Sequence, residues 1–447
     1  IEGIYAFFLE SGFLAILLFG WNKVGPKLHF FSTCMVALGA HFSAIWILVA
    51  NSWMQTPAGF HLAKKVKVTE DGARHPLSAE LPEGSFEVKE IPLPDDYILQ
   101  QADLDSIRAV ITDFWAMVFN PSSMDRLVHT ILACWLAGTF LVISISAYYL
   151  LKRRHLPFAK ASLKIGLVVA AATTLLQFWS ADETARGVAE NQPAKFAAME
   201  GLAETSSAAP LALGGWVSWE RDDEGNITGI DENSVKVPAL LSVLVSGNFL
   251  DPVQASEAVV AGLYDLPTDE FLEARYPEAT PAQIDRIRPE YWPNVPVVFQ
   301  TYHVMIACGV ILFLVAWTGL WLWKSGKLWE TDRRFTRWFL VACVFSVFLP
   351  QIASQAGWFT AEMGRQPWIV YEILKTSEGF SAAVRAEQVL FSLILFFLIY
   401  ALLFLLFVYT LHAKIKHGPS DDVSGAQLPE KWRAIALLGK ERKEGGE

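Results

Sequence analysis

Long apolar runs constrain this chain more than any other feature. A helix that crosses a bilayer needs about 20 mostly apolar residues, and seven stretches meet that length: roughly 3–22, 29–50, 127–150, 161–181, 300–323, 338–357 and 387–411. The last reads LFSLILFFLIYALLFLLFVYTL, apolar on every side. A transmembrane β-barrel would need short strands of alternating polarity, and these runs do not alternate. The expected fold is an all-α integral membrane protein, a bundle of about seven spans with long outer loops. Composition agrees. Of 447 residues only 18% are charged, below the roughly 25% of soluble domains. The net charge of −10 removes the basic footprint that nucleic-acid binding needs. Four cysteines (Cys34, Cys134, Cys308 and Cys343) lie in apolar runs without CxxC spacing. They read as small buried hydrophobes and support neither a disulfide framework nor a zinc site.

Basic residues of the connectors set the orientation. KRRHLPFAK at 152–160, the five cations of 324–337, Lys23 with Lys27, and HAKIKHG after the last span fall on one side if seven helices alternate. That side is expected to be cytoplasmic. The chain then divides into helices 1–2 (1–52), an outer loop (53–126), helices 3–4 (127–181), a second outer loop (182–299), helices 5–6 (300–357), an outer segment (358–386), and helix 7 with a cytoplasmic tail (387–447). The two long loops are acidic and turn-rich, and connections of that length carry function or their own structure.

Ionisable groups within apolar helices are costly and mark function. Glu2 and Glu10 lie eight residues apart in the first run, so the second carboxyl is about 12 Å deeper on a similar face. Glu2 alone is equally well read as sitting at the helix mouth. Glu10 suits a proton relay that His41 and Ser43 could extend. His129 and Met305 each sit a few residues inside the outer boundary of their spans, at matched depth. Each alone is most simply structural, but imidazole and thioether together are an axial pair for a low-spin haem. His303 lies about 200° around the helix from Met305, off that face. In GWFTAEMGRQPW (357–368), Glu362 and Arg365 are three apart. This is either a surface ion pair or, at a membrane interface, a cation placed for a haem propionate beside an acid placed for its iron.

These segments carry a family resemblance. GRQPW (364–368) with the preceding GWFTAE, IEGIYAFFLES (1–11), ALGAHFSAIWILVANSWMQ (37–55) and VHT (128–130) resemble, in the same order, subunit I of the cytochrome bd quinol oxidases. The resemblance implies oxidation of membrane quinol at the outer face and reduction of dioxygen to water. It also implies a low-spin haem b, a high-spin haem b and a haem d, with a proton motive force generated without pumping. His129 and Met305 would then ligate the low-spin haem. Glu2 would be an iron ligand at the high-spin pair, with Glu362 the acid of that pair and Arg365 on propionates. Glu10 and Ser43 would belong to the proton path. QPAKFAAME (192–200), otherwise an ordinary amphipathic turn, resembles the family's quinol segment and makes Lys195 and Glu200 the quinol-handling residues.

The same resemblance implies a bacterial inner-membrane location with long loops facing the periplasm. Its expected partners are a second large subunit, subunit II, and a small single-helix subunit. Three departures stand out. About two further helices with a haem-ligating histidine precede IEG in the family, so the chain as given reads as truncated or incomplete. The segment 56–118 is longer than the family norm. The family often has arginine where His303 stands and an asparagine-like residue where His41 stands. Two other classes fit parts of the pattern: a b-type quinol dehydrogenase passing electrons to a partner, and a haem-free proton-coupled transporter using Glu2, Glu10 and His41.

Overall fold

The computed structural model describes residues 8–20, 23–76, 79, 81–82, 85–94, 97, 107–248, 250–379 and 384–419; Glu2 lies outside them. In chain order the elements are α1 (Phe8–Phe19), α2 (Pro26–Gln55), β1 (Phe60–Thr69), β2 (Arg74–Pro76), β3 (Phe86–Pro92), β4 (Ile107–Ile111), α3 (Phe114–Val118), α4 (Ser123–Leu151), α5 (Leu156–Asn191) and α6 (Pro193–Glu200). Then follow β5 (Leu211–Arg221), β6 (Ile227–Val237), α7 (Leu240–Ser246), α8 (Pro252–Ala255), α9 (Asp269–Arg275), α10 (Pro281–Ile287) and α11 (Val295–Lys324). The chain closes with α12 (Arg334–Phe345), α13 (Phe348–Met363), β7 (Trp368–Val370), β8 (Leu374–Lys375) and α14 (Ala386–His417).

Five of the described helical stretches are long and apolar enough to cross a membrane, and α12 with α13, bent by 43°, makes a sixth. The expected first span is represented by the 12-residue α1. The helices start where the sequence prepares them. Pro26 opens α2 and Pro193 opens α6, because proline loses nothing at a position whose N–H has no helical partner. The break between α12 and α13 follows from Pro350, which has no N–H for the Ser346 carbonyl and whose ring crowds that turn. Two hydroxyls mend the opened ladder: Ser144 donates to the Val344 carbonyl at 2.7 Å and Ser346 to that of Cys343 at 2.7 Å.

The membrane core is built from α4, α5, α11 and α12, with Phe140, Ile143, Leu163, Leu167, Ala316 and Leu340 at its centre. Helices approach closely where one offers glycine: a side chain at Gly166 would meet Ile143, and one at Gly319 would meet Leu167. The cysteine expectation holds for Cys308 and Cys343, which are buried. Cys34 and Cys134 are free but exposed, on helix faces where an apolar thiol is as much at home in lipid as in a core.

Basic connectors gather at one end of the bundle. Arg153 pairs with Asp332 at 2.5 Å, Arg154 donates to the Lys416 carbonyl at 3.0 Å, and the Tyr149 hydroxyl donates to that of Ile415 at 2.8 Å. At the opposite end the two long loops have structure of their own. Strands β1–β4 form a four-stranded antiparallel sheet with β1 paired to β2, β3 and β4. The second loop folds as α6, the β5–β6 hairpin and short helices over a core of Phe196, Met199, Val217, Leu263, Trp292 and Phe299.

Candidate active site

At the end opposite the basic connectors, three membrane helices bring charge together. Asn51 in the last turn of α2 reads a cation with one atom and an anion with the other. Arg126, in the first turn of α4, donates from Nη2 to Asn51 Oδ1 at 2.6 Å, and Asn51 Nδ2 donates to Glu362 Oε1 at 2.9 Å. Glu362 closes the last turn of α13, and its Oε2 pairs with Arg365 Nη2 at 2.6 Å. Glu362 is thus held from two sides, by Arg365 just beyond its own helix and by Asn51 from α2. α13 runs to Met363, so GWFTAE is helical and the outer segment begins after it. Buried donors remain: Arg126 Nη1 and Arg365 Nε have no hydrogen-bond partner among the described residues.

His129 follows Arg126 by one turn of α4. Its ring lies against α5, with Gln177 Nε2 at 3.1 Å from each ring nitrogen and Ser180 Oγ at 3.5 Å from Nδ1. The Met305 thioether on α11 rests on Gly357 of α13, where a Cβ would stand 2.9 Å from Sδ. Any larger residue there would make the thioether shift. The helices that present His129 and receive Met305 are therefore those that carry Arg126 and Glu362. This set fits haem chemically: an imidazole and a thioether are axial donors, and two half-buried guanidinium groups, each with a buried N–H to spare, suit propionates.

The third component is α6, whose eight residues carry both expected quinol-handling side chains. Lys195 is 4% exposed and donates through Nζ to the side-chain oxygens of Gln55 and Gln192. Gln192 in turn donates to the Gln55 backbone carbonyl at 3.0 Å. The Lys195 stem lies against Gly364, where a Cβ would come within 2.8 Å of Cγ. Burial, with Arg126 and Arg365 nearby, holds this amine well below the ordinary lysine range, against the pull of Glu362. Glu200, 1% exposed, lies elsewhere. Its carboxyl accepts from the Tyr302 hydroxyl and the Ala212 N–H, Oε2 has no partner, and burial pushes it up to about 7. Five helical positions correspond to roughly 140° of rotation, so Lys195 and Glu200 leave α6 towards different surroundings.

Lys195 opens onto a cavity of about 310 Å³, within the range of ligand pockets. Arg365, Glu372 and the rings of Phe271, Tyr291 and Trp368 also line it. A larger cavity of about 650 Å³ runs beside it beneath Phe60, His61 and Leu62 of β1, and Asn191, Phe271, Tyr371 and Glu372 line both.

The remaining expected residues are dispersed. Glu10 is half-buried, its backbone set against Gly39 of α2, where a Cβ would be 3.1 Å from the Glu10 N. Ser43 lies on the same helix α2. His41 has both ring nitrogens engaged: Nδ1 with the Ala37 carbonyl at 2.7 Å and Nε2 with Trp135 Nε1 at 3.1 Å. With Trp135 donating to Nε2, Nδ1 is left to donate to the Ala37 carbonyl. His303 sits between two carbonyls, Phe299 at 2.8 Å and Ala212 at 3.2 Å, so it touches the Glu200 environment rather than the face of Met305. Sequence reasoning passed over Asn51, Arg126, Gln55, Gln192 and Tyr302. The available signal was polarity in or beside apolar runs, which was followed for carboxylates, histidines and Ser43 but for none of these amides, nor for Arg126 or Tyr302.

Residues 1–419 match the family model of cytochrome bd terminal oxidase subunit I, and the chain belongs to that family. It is 31% identical over 457 residues to the cytochrome bd-II ubiquinol oxidase subunit 1 of Escherichia coli (strain K12), covering 94% of this chain and 79% of that one. It is 30% identical over 422 residues to the cytochrome bd ubiquinol oxidase subunit 1 of Bacillus subtilis (strain 168), covering 94% and 75%. Among solved structures, the bd oxidase from Geobacillus thermodenitrificans superposes with a TM-score of 0.66 at 27% identity, over 94% of this chain and 77% of that one. The protein is an integral membrane oxidoreductase, the first subunit of a terminal quinol oxidase. The transporter and dehydrogenase alternatives fall with that membership. Oxidases of this class contain haem, and a first subunit implies a second.

Proposed function

We propose that quinol is oxidised at the cavity beside Lys195 and that dioxygen is reduced to water within the adjoining membrane helices. The observation that supports this most is one of adjacency. The Lys195 cavity opens directly onto Arg365, and Arg365 is joined through Glu362 and Asn51 to Arg126, one turn from His129. A substrate in the cavity therefore lies against the same polar cluster that borders the His–Met pair.

His129 and Met305 hold a low-spin haem b, and Glu2 with Glu362 serves a high-spin haem b and haem d; when bound, these groups supply electron carriage and oxygen chemistry. Arg126 and Arg365 hold propionates, and Gln177 fixes the His129 ring. Lys195, its amine held below the ordinary lysine range by burial, offers hydrogen bonds to a quinol oxygen, and Glu200 is a carboxyl able to exchange a proton near neutrality. Glu10 and Ser43 carry protons from the basic, cytoplasmic end. With quinol protons released on the loop side, turnover generates a proton motive force without a pump. The location is the bacterial inner membrane with long loops in the periplasm. The complex includes subunit II and a small single-helix subunit.

The test is a dithionite-reduced minus oxidised spectrum of the purified complex, repeated on variants. A low-spin b signal with a far-red chlorin band is expected, and no haem signal at all would sink the reading. His129→Ala and Met305→Leu should each remove the low-spin band and leave the high-spin bands. Lys195→Ala and Glu200→Ala should lower quinol oxidation with haem retained, and unchanged kinetics in both would move the quinol site elsewhere.

A further inference from the structure

The two quinol-handling residues of α6 do not share a pocket, which leaves the Lys195 cavity in need of a proton acceptor. Its charged lining comprises Lys195 from α6, Glu190 from α5, and Arg365 and Glu372 from the segment after α13. His61 of β1 faces the adjoining cavity, and Tyr291 and Tyr371 add phenols. Of the two carboxylates, Glu372 alone lines both cavities.

Its position is built. Strands β7 and β8 form a small antiparallel hairpin with Trp368 opposite Lys375 and Val370 opposite Leu374. Glu372 occupies the middle of the three-residue connection in the left-handed region, at φ 59°. A side chain other than Gly, Asn or Asp pays for that conformation. The neighbouring Tyr371 N–H donates to the Met54 carbonyl of α2 at 2.9 Å, and the Ile373 N–H to that of Val370 at 3.0 Å, so the turn is clamped over the end of α2. Behind it, Lys375 Nζ stands 3.8 Å from the Tyr291 ring centroid. Among the described residues the Glu372 carboxylate has no hydrogen-bond or ion-pair partner. Desolvation raises its carboxyl above the usual range, and the residue stays accessible where it lines the two cavities.

We infer that Glu372 is the base of quinol oxidation: its carboxylate takes the proton from a quinol hydroxyl in the Lys195 cavity. This rests on the quinol site proposed above. The quinol O–H bond breaks and a Glu372 O–H bond forms. The electrons leave through the enzyme's redox cofactors to dioxygen, the oxidant of the family's reaction. Glu372 passes its proton to water through the larger cavity and then accepts the second, so one quinol yields one quinone, two protons and two electrons.

The experiment measures oxygen consumption by the purified complex with decylubiquinol and with a short-tailed menaquinol across pH 5–9, on wild type, E372N, E372D and K195A. Asparagine removes the acid yet tolerates the left-handed backbone, so E372N separates chemistry from folding. At pH 7 the expected kcat of E372N is at least ten-fold lower, consistent with the loss of a general base. Its haem spectrum should be unchanged and the acid limb of its pH profile lost. E372D should keep that limb, moved to lower pH. If E372N retains wild-type kcat and the acid limb while K195A is impaired, the inference falls and the quinol site stands. If neither variant changes quinol oxidation, the site itself is wrong. Should E372N lose haem, the E372D limb decides, and an unmoved limb overturns the proposal.

Discussion

The two ends of this bundle use charge in opposite ways. At the basic end, Arg153 and Asp332 pair with side chains 65% and 89% exposed, and Lys160 and Lys164 stand over the Trp329 ring at 5.5 and 5.6 Å. Such contacts are screened by water and individually weak. Under the positive-inside rule these are the residues expected to set which way the chain inserts. At the other end Lys195 is buried and Arg126, Asn51, Glu362 and Arg365 are partly withdrawn from solvent, and all are held by short, directed bonds. Desolvating them is costly, and bundle packing alone would not require it. Charge that is cheap to keep lies at the end proposed to set the insertion, and charge that is expensive to bury lies at the proposed site.

Substitutions can break that contrast. The largest effect is expected for Arg365→Leu, which leaves Glu362 with Asn51 as its hydrogen-bond partner. Removing one member of such a pair costs about 3–5 kcal/mol when fully buried, and about 2–3 kcal/mol fits the partial exposure of Glu362. A fall in the thermal midpoint of the purified complex checks it, and an unchanged midpoint would make this an ordinary surface pair.

Glu200 predicts a pH effect of similar size. Its folded carboxyl titrates near 7 and its unfolded one near 4.3, so the native state binds more protons between those values. Stability should decline as pH rises from about 4.5 to 7, by about 3 kcal/mol in total, and level off above. Glu200→Gln should abolish that slope, which thermal midpoints from pH 5 to 8 would reveal. Ser144→Ala is intermediate: it strips the Val344 carbonyl of its donor and should cost about 1–2 kcal/mol. At the basic end, Arg153→Ala should change the midpoint by less than about 0.5 kcal/mol. A loss as large as that of Arg365→Leu would erase the distinction between the two ends.

Much of the scaffold was legible because bilayer thickness dictates the length of an apolar run. The expected 127–150 and 387–411 became Ser123–Leu151 and Ala386–His417. The extensions are polar turns whose partners lie on other helices. Arg126 was assigned to a loop for that reason, since only the fold reveals Asn51 beside it. Glu362 lay one helical turn beyond the expected end of its span. The interior of 182–299 was not legible, because the β5–β6 hairpin and its short helices take their order from packing on α6 and α11. Lys195 and Glu200 were named together on resemblance, although their spacing of five already set them on different sides of a helix. Glu372 was missed because nothing in WIVYEILK distinguishes it from a solvated acid. Its meaning comes from the turn that holds it over two cavities.

The Pro350 bend sets a lever arm. From Phe348 to Glu362 α13 rises about 21 Å, so a 43° change of direction carries its far end roughly 15 Å sideways from where a straight helix would leave it. Met305's glycine seat and the Glu362 carboxylate both ride on that arm. One imino ring, buried far from either group, thus decides which neighbours they meet, and the Ser144 hydroxyl on α4 pins the fulcrum to the helix that carries His129.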